Sequence, residues 1–199
     1  MTPAPLAPLL ALRQHQRNGH RSPHKPLLAL ALAQLAANGS SRLVWSEAAD
    51  RLADLVADFG PPSRTSATQS AAYPFTRLRS DGIWTLDRAV PMDRVGPLNE
   101  HPLAGRFTPE VEAALADSAV LVATTRAIVE SEFPPTLVPD VLTAVGFDPD
   151  SVLGRGLAVS PTRDGGEVRR RSSAWPARVL AACGAAPDRR GGYCAGRCR

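Results

Sequence analysis

Arg21, His24 and Lys25 crowd the start of one apolar stretch, SPHKPLLALALAQLAANG, which spans residues 22–39. The chain has 23 lysines and arginines, and Lys25 is the single lysine among them. Ser22 is a good helix N-cap and Pro23 suits the first helical position, so the pattern predicts a helix running to Asn38 before Gly39. The first amides of a helix have no intrahelical partner and its dipole is positive there, which favours an anion and disfavours cations. Three basic side chains at that end therefore destabilise it unless an anion resolves the conflict. A solvated helix start is the plainer alternative. A compact ammonium acts as a point charge where a guanidinium brings a wide planar fork, and the lone Lys25 favours the anion.

The second chemically suggestive stretch is YPFTRLRSDGIWTLD, residues 73–87. Tyr73 and Pro74 are predicted to open a strand, with Phe75 and Leu78 turned to the core. Ordinary strand-edge packing would explain the pair. The functional alternative is an apolar surface cup, with Arg77 and Arg79 alongside to meet phosphates. Other chemistry is missing. Residues 1–154 contain no phosphate-binding loop, no His-Glu-x-x-His and no Gly-x-Ser-x-Gly, and the histidines at 15, 20, 24 and 101 lack metal-ligand spacing. No cofactor is expected.

The elements that must position these residues follow from periodicity and breakers. A first helix is predicted over residues 4–17, broken by NGHRSP. In the second helix Leu27, Leu28, Leu30, Leu32 and Leu35, with alanines between, leave no polar stripe, so it belongs at the centre of its domain. RLVW (residues 42–45) is a short strand. Ser46 can cap a third helix, where Leu52, Leu55, Val56 and Phe59 fall at helical spacing. PPSRTSATQSAA reads as a loop, and Asp81-Gly82 as the turn of a β-hairpin. TPEVEAALADSAVLVATTRAIVESEF supplies one broken helix or two consecutive ones, and LVPDVLTAVGF a short last one. From about Asp148 onward the composition predicts loss of order. The fold class expected is α+β, mostly helical: a winged-helix-like core with one β-hairpin and extra C-terminal helices.

The 199 residues allow one domain with appendages or two small domains, and the formal net charge of +4 is unevenly spread. Residues 1–79 carry 9 basic and 4 acidic side chains, residues 80–154 carry 4 and 12, and residues 155–199 carry 10 and 3. An anionic partner would meet the first third or the tail, and the middle would repel it. No segment approaches the roughly 18 apolar residues of a membrane span. The opening MTPAPLAPLLALRQHQ has three prolines and no basic leader, so a cytoplasmic protein is expected. Cys183, Cys194 and Cys198 all fall in the last 17 residues, so no disulfide within the fold is expected.

PHKPLLALALAQL, then YPFTRLRSDGIWTL, then EFPPTLVPDVLTAVGF, in this order, resemble the DNA sulfur-binding domain of phosphorothioation-dependent, McrA-type HNH restriction endonucleases. The resemblance covers about residues 5–150. It implies binding to double-stranded DNA in which a sulfur replaces one non-bridging phosphate oxygen. It also implies a surface cavity for that sulfur, lined here by Tyr73, Pro74, His24 and Lys25; some members of the family carry arginine where this chain has Lys25. Sulfur is larger, more polarizable and a poorer hydrogen-bond acceptor than oxygen. An apolar cup tolerates it but would strip water from an oxygen without replacing the lost bonds, a penalty of roughly 1–3 kcal/mol, or about tenfold to hundredfold. The expected DNA-binding set is Arg21, His24, Lys25, Tyr73, Pro74, Arg77, Arg79 and His101.

The resemblance also implies an HNH nuclease module after the sulfur-binding domain. Residues 183–199, CGAAPDRRGGYCAGRCR, contain no histidine and no Val, Leu, Ile or Phe, and Cys194-x-x-x-Cys198 with Cys183 is a weak zinc signal. The domain division is therefore a sulfur-binding domain over residues 1–150, then a flexible basic linker and truncated nuclease remnant over residues 151–199. Catalytic and metal residues are not expected in the chain. Two competing readings are a winged-helix regulator of unmodified DNA and a complete nuclease. The first would want basic and amide side chains on a recognition helix, whereas the third predicted helix offers Asp50, Asp54 and Asp58 with only Arg51.

Overall fold

The computed structural model describes residues 4–154 except residues 15, 18, 19 and 63. The expected remnant beyond residue 154 lies outside the described residues. A 3-10 turn (Ala4–Leu6) leads into the short helix α1 (Ala7–Leu10). The expected helix over residues 4–17 stops there. Leu12 is buried, the Arg13 amide donates to Asp81 Oδ1 at 3.0 Å, and the chain continues as β1 (Gln16–Arg17), paired antiparallel with β2 (His20–Arg21). Contacts to distant residues override the local helical preference.

Helix α2 (His24–Ala37) is the central element expected from its composition, with Leu27, Leu28, Leu30, Leu32 and Leu35 all at most 1% exposed. Its N-cap is Pro23, not Ser22, whose hydroxyl instead bonds the His24 ring. After β3 (Leu43–Val44) comes α3 (Trp45–Phe59). This helix starts two residues earlier than a Ser46 cap would allow, because Trp45 is drawn wholly into the core: its amide donates to Leu103 O at 2.8 Å and its indole to Asn99 Oδ1 at 2.7 Å.

The largest departure from expectation is α4 (Ala67–Arg77), where a loop and the start of a strand were anticipated. Ser66 caps it by accepting from the Gln69 amide at 3.3 Å, and Pro74 sits inside it. Proline removes one helical hydrogen bond, a penalty normally decisive against a helix interior. Here Ser70, Ala71 and Ala72 are buried small residues that let α4 pack closely on α3 and α2, and burial of Phe75 adds to that packing.

Asp81-Gly82 is not a hairpin turn. A 3-10 turn (Leu78–Asp81) extends α4, and Gly82 closes it at φ 74°, a left-handed conformation glycine adopts without steric penalty. The strand that follows, β4 (Trp84–Leu86), pairs with β5 (Ala104–Phe107), which also pairs with β3. The sheet order is β3-β5-β4, antiparallel throughout. Helix, strand, two helices and two strands, in that sheet order, give a mostly helical α+β fold with a small antiparallel sheet. The paired strands β4 and β5 are joined by a long connection (residues 87–103) that includes α5 (Gly96–Glu100), not by the tight turn expected at Asp81-Gly82.

Trp45, Phe75, Trp84 and Phe107 form an edge-to-face chain, with successive ring centroids 5.1, 5.5 and 6.5 Å apart, joining α3 and α4 to the sheet. Gly105 makes room for it, since a Cβ there would lie 2.1 Å from the Trp84 ring. The expected C-terminal helices are α6 (Pro109–Leu115), α7 (Ser118–Glu132) and α8 (Val138–Val145). Order persists past Asp148, contrary to the sequence reading. Asp148 caps α9 (Pro149–Leu153) by accepting from the Ser151 amide at 3.1 Å, and Val152 is buried.

Candidate nucleic-acid interface

Helix α2 packs on α4, and its first turn lies against the 3-10 extension of α4. Lys25 is where the two meet. Its ammonium pairs with the Asp81 carboxylate and lies 3.5 Å from Ser80 Oγ. The side chains of Lys25 and Asp81 are only 10% and 3% exposed. The lone lysine is thus explained first by structure: a compact ammonium fits beneath the turn and holds the start of α2 to the end of α4. It is not an open cation waiting for an anion. His24, beside it, is half-buried, and burial lowers its pKa from the ordinary 6.5, so the ring is neutral at pH 7. Its Nδ1 is taken by Ser22, leaving Nε2 as the other ring nitrogen.

Tyr73 and Arg77 are one helical turn apart on α4. The Arg77 guanidinium carbon lies 5.5 Å from the centroid of the half-buried Tyr73 ring, within cation–π range. Asp93 grips the same guanidinium through two oxygens, with Arg77 Nε donating to Oδ1 at 2.7 Å and Nη2 to Oδ2. These hydrogen bonds raise the Arg77 pKa further above its ordinary value. Ser80 closes the cluster by donating to Arg77 O at 2.7 Å. Lys25, Ser80, Asp81, Arg77 and Tyr73 therefore form one connected group, in which a partly exposed aromatic face stands among paired charges.

The other expected residues divide. Pro74 is buried within α4, so the apolar surface available at this place is the Tyr73 ring more than the pyrrolidine. Arg79 turns away and donates to Val90 O at 2.7 Å, anchoring the connection after β4. Arg21 is exposed and reaches Glu132 at the end of α7, 3.5 Å away. His101 is exposed just beyond α5. Sequence reasoning missed the acidic partners Asp81 and Asp93. Their pairings span 56 and 16 residues and leave no local signal.

A family model for the ScoMcrA-like DNA sulfur-binding domain matches residues 6–150. The chain belongs to that family. Solved structures share the fold. One is described as the sulfur-binding domain of ScoMcrA complexed with phosphorothioated DNA, at 18% identity and TM-score 0.58, with 67% of this chain and 92% of that one covered. The corresponding domain of SprMcrA, likewise described as complexed with phosphorothioated DNA, aligns at 17% identity and TM-score 0.54, covering 68% and 90%. The Type IV phosphorothioation-dependent restriction endonuclease ScoMcrA aligns at 19% identity and TM-score 0.57, and the match spans 72% of this chain but 34% of that larger one. No curated protein matches the chain. At these identities the structural likeness is one of fold.

Proposed function

We propose that this chain recognises double-stranded DNA carrying phosphorothioate linkages and is the binding part of a modification-dependent restriction endonuclease. The observation that carries this reading is the family match over residues 6–150, which takes in nearly the whole described fold. The site we assign to the sulfur is the surface around Tyr73, between the start of α2 and the end of α4. The Tyr73 ring offers a polarizable face to an atom that accepts hydrogen bonds poorly, and His24 stands by as a neutral imidazole. Arg77 supplies donors to neighbouring backbone oxygens, and Arg21 and His101 are peripheral phosphate contacts. Lys25 acts one step back, by fixing the geometry through Asp81. No helix among the described residues is long and apolar enough to cross a membrane, and a DNA ligand makes the cytoplasm the working compartment.

Electrophoretic shifts on two duplexes identical except for one sulfur test the reading. The modified duplex should shift at a concentration at least tenfold lower. Equal shifts would return the chain to the class of DNA-binding proteins that do not sense the modification.

A further inference from the structure

Asp93 is out of place on an anion-binding face. It is the one non-glycine among the described residues with positive φ, at 63°, a conformation that aspartate and asparagine tolerate better than most residues. Three groups of α4 hold it there. Its amide donates to Thr76 Oγ1 at 3.1 Å, its carbonyl accepts from Gln69 Nε2 at 2.8 Å, and its carboxylate takes Arg77. The two backbone bonds alone would anchor the loop. The carboxylate does something further: it cancels the charge of the arginine stacked on Tyr73. Lys25 and Arg21 are likewise matched by Asp81 and Glu132.

Resting on the function proposed above, we infer that Asp93 is a specificity-determining residue that suppresses binding to unmodified DNA by neutralising Arg77. Attraction to plain DNA comes mainly from basic groups that displace counterions from phosphates, and it needs no fixed register. A freed Arg77 would let unmodified duplex settle wherever a phosphate meets the guanidinium. A sulfur seated against Tyr73 fixes the register, so modified duplex has less to gain from the freed charge. Asp93 acts through Arg77 and need not touch the DNA.

The test is Asp93→Asn, which keeps the left-handed backbone accessible and removes the charge, measured against both duplexes over a salt series. Affinity for unmodified duplex should rise several-fold at low salt, and its logarithmic salt slope should steepen by about 0.9. The preference for sulfur should fall. In an Arg77→Gln background the same substitution should change neither quantity. Unchanged slopes, a parallel loss on both duplexes, or an equal gain with Arg77 already removed would each overturn the inference. A native chain without sulfur preference would instead remove the function on which it rests.

Discussion

Lys25 is legible in the sequence by its type, but its pairing with Asp81 is not. The sequence marks Lys25 as unusual, but its partner lies 56 residues away, beyond any local pattern. Removing one member of a buried ion pair leaves an uncompensated charge, which typically destabilises by about 3–5 kcal/mol, whereas replacing both with apolar groups is often tolerated. Lys25→Ala or Asp81→Asn should therefore lower unfolding free energy on that scale in denaturant titrations, and Lys25→Met with Asp81→Leu should recover much of it. His24 carries a pH signature. Its folded pKa lies below the 6.5 of an ordinary imidazole, so the unfolded chain binds the proton first as pH drops. The stability present above pH 6.5 is lost as the pH falls towards the folded value, and His24→Gln should remove that part of the decline in thermal unfolding. Tyr73 and Arg77 were named from the sequence, but on a strand, and their contact follows only from the helix; Asp93 was not named, because neither its left-handed backbone nor its salt bridge leaves a trace in PMDRV.

Among the elements, α2 was readable because a helix apolar on every face has one place to go, the centre. Helix α4 was not, because Pro74 in its interior contradicts the local rule and only packing of its small residues against α2 and α3 overrides that. The hairpin failed for a related reason: Gly82 does supply the left-handed residue that the turn signal implies, but to end a 3-10 turn. Exposed Asp50, Asp54 and Asp58 on α3 agree with the sequence argument against that helix lying in a groove, and α4, the second helix of the pair, carries the candidate site instead. The sheet is tied to the helices by Ser41, which is fully buried, donates to Glu112 Oε1 and accepts from the Phe107 amide at 2.8 Å. Burial pushes the Glu112 carboxyl up, but the Ser41 hydroxyl and amide and the Arg106 guanidinium together hold it below its ordinary value. Ser41→Ala should leave the Phe107 amide unsatisfied and lower stability by about 1–3 kcal/mol in chemical denaturation.

At the scale of the whole molecule, charge is divided between a body in which Arg21, Lys25 and Arg77 are paired with carboxylates and a tail, residues 155–199, carrying 10 basic and 3 acidic side chains. The family match ends at residue 150 and α9 at Leu153, so removing residues 155–199 should leave the unfolding transition intact. It should weaken binding to both duplexes at low salt and flatten the salt slope, since each lost phosphate contact removes about 0.9 from it. The preference for sulfur should survive, because it belongs to the folded domain. The central claim is that the Tyr73 surface reads the sulfur. The most direct measurement is an anisotropy titration of the native chain and Tyr73→Ala with sulfur-containing and sulfur-free duplexes, with native-like unfolding of the variant verified alongside. The native chain should show at least a tenfold preference for sulfur, falling to near parity in Tyr73→Ala with affinity for plain duplex little changed. A preference that survives in a folded Tyr73→Ala would contradict that claim.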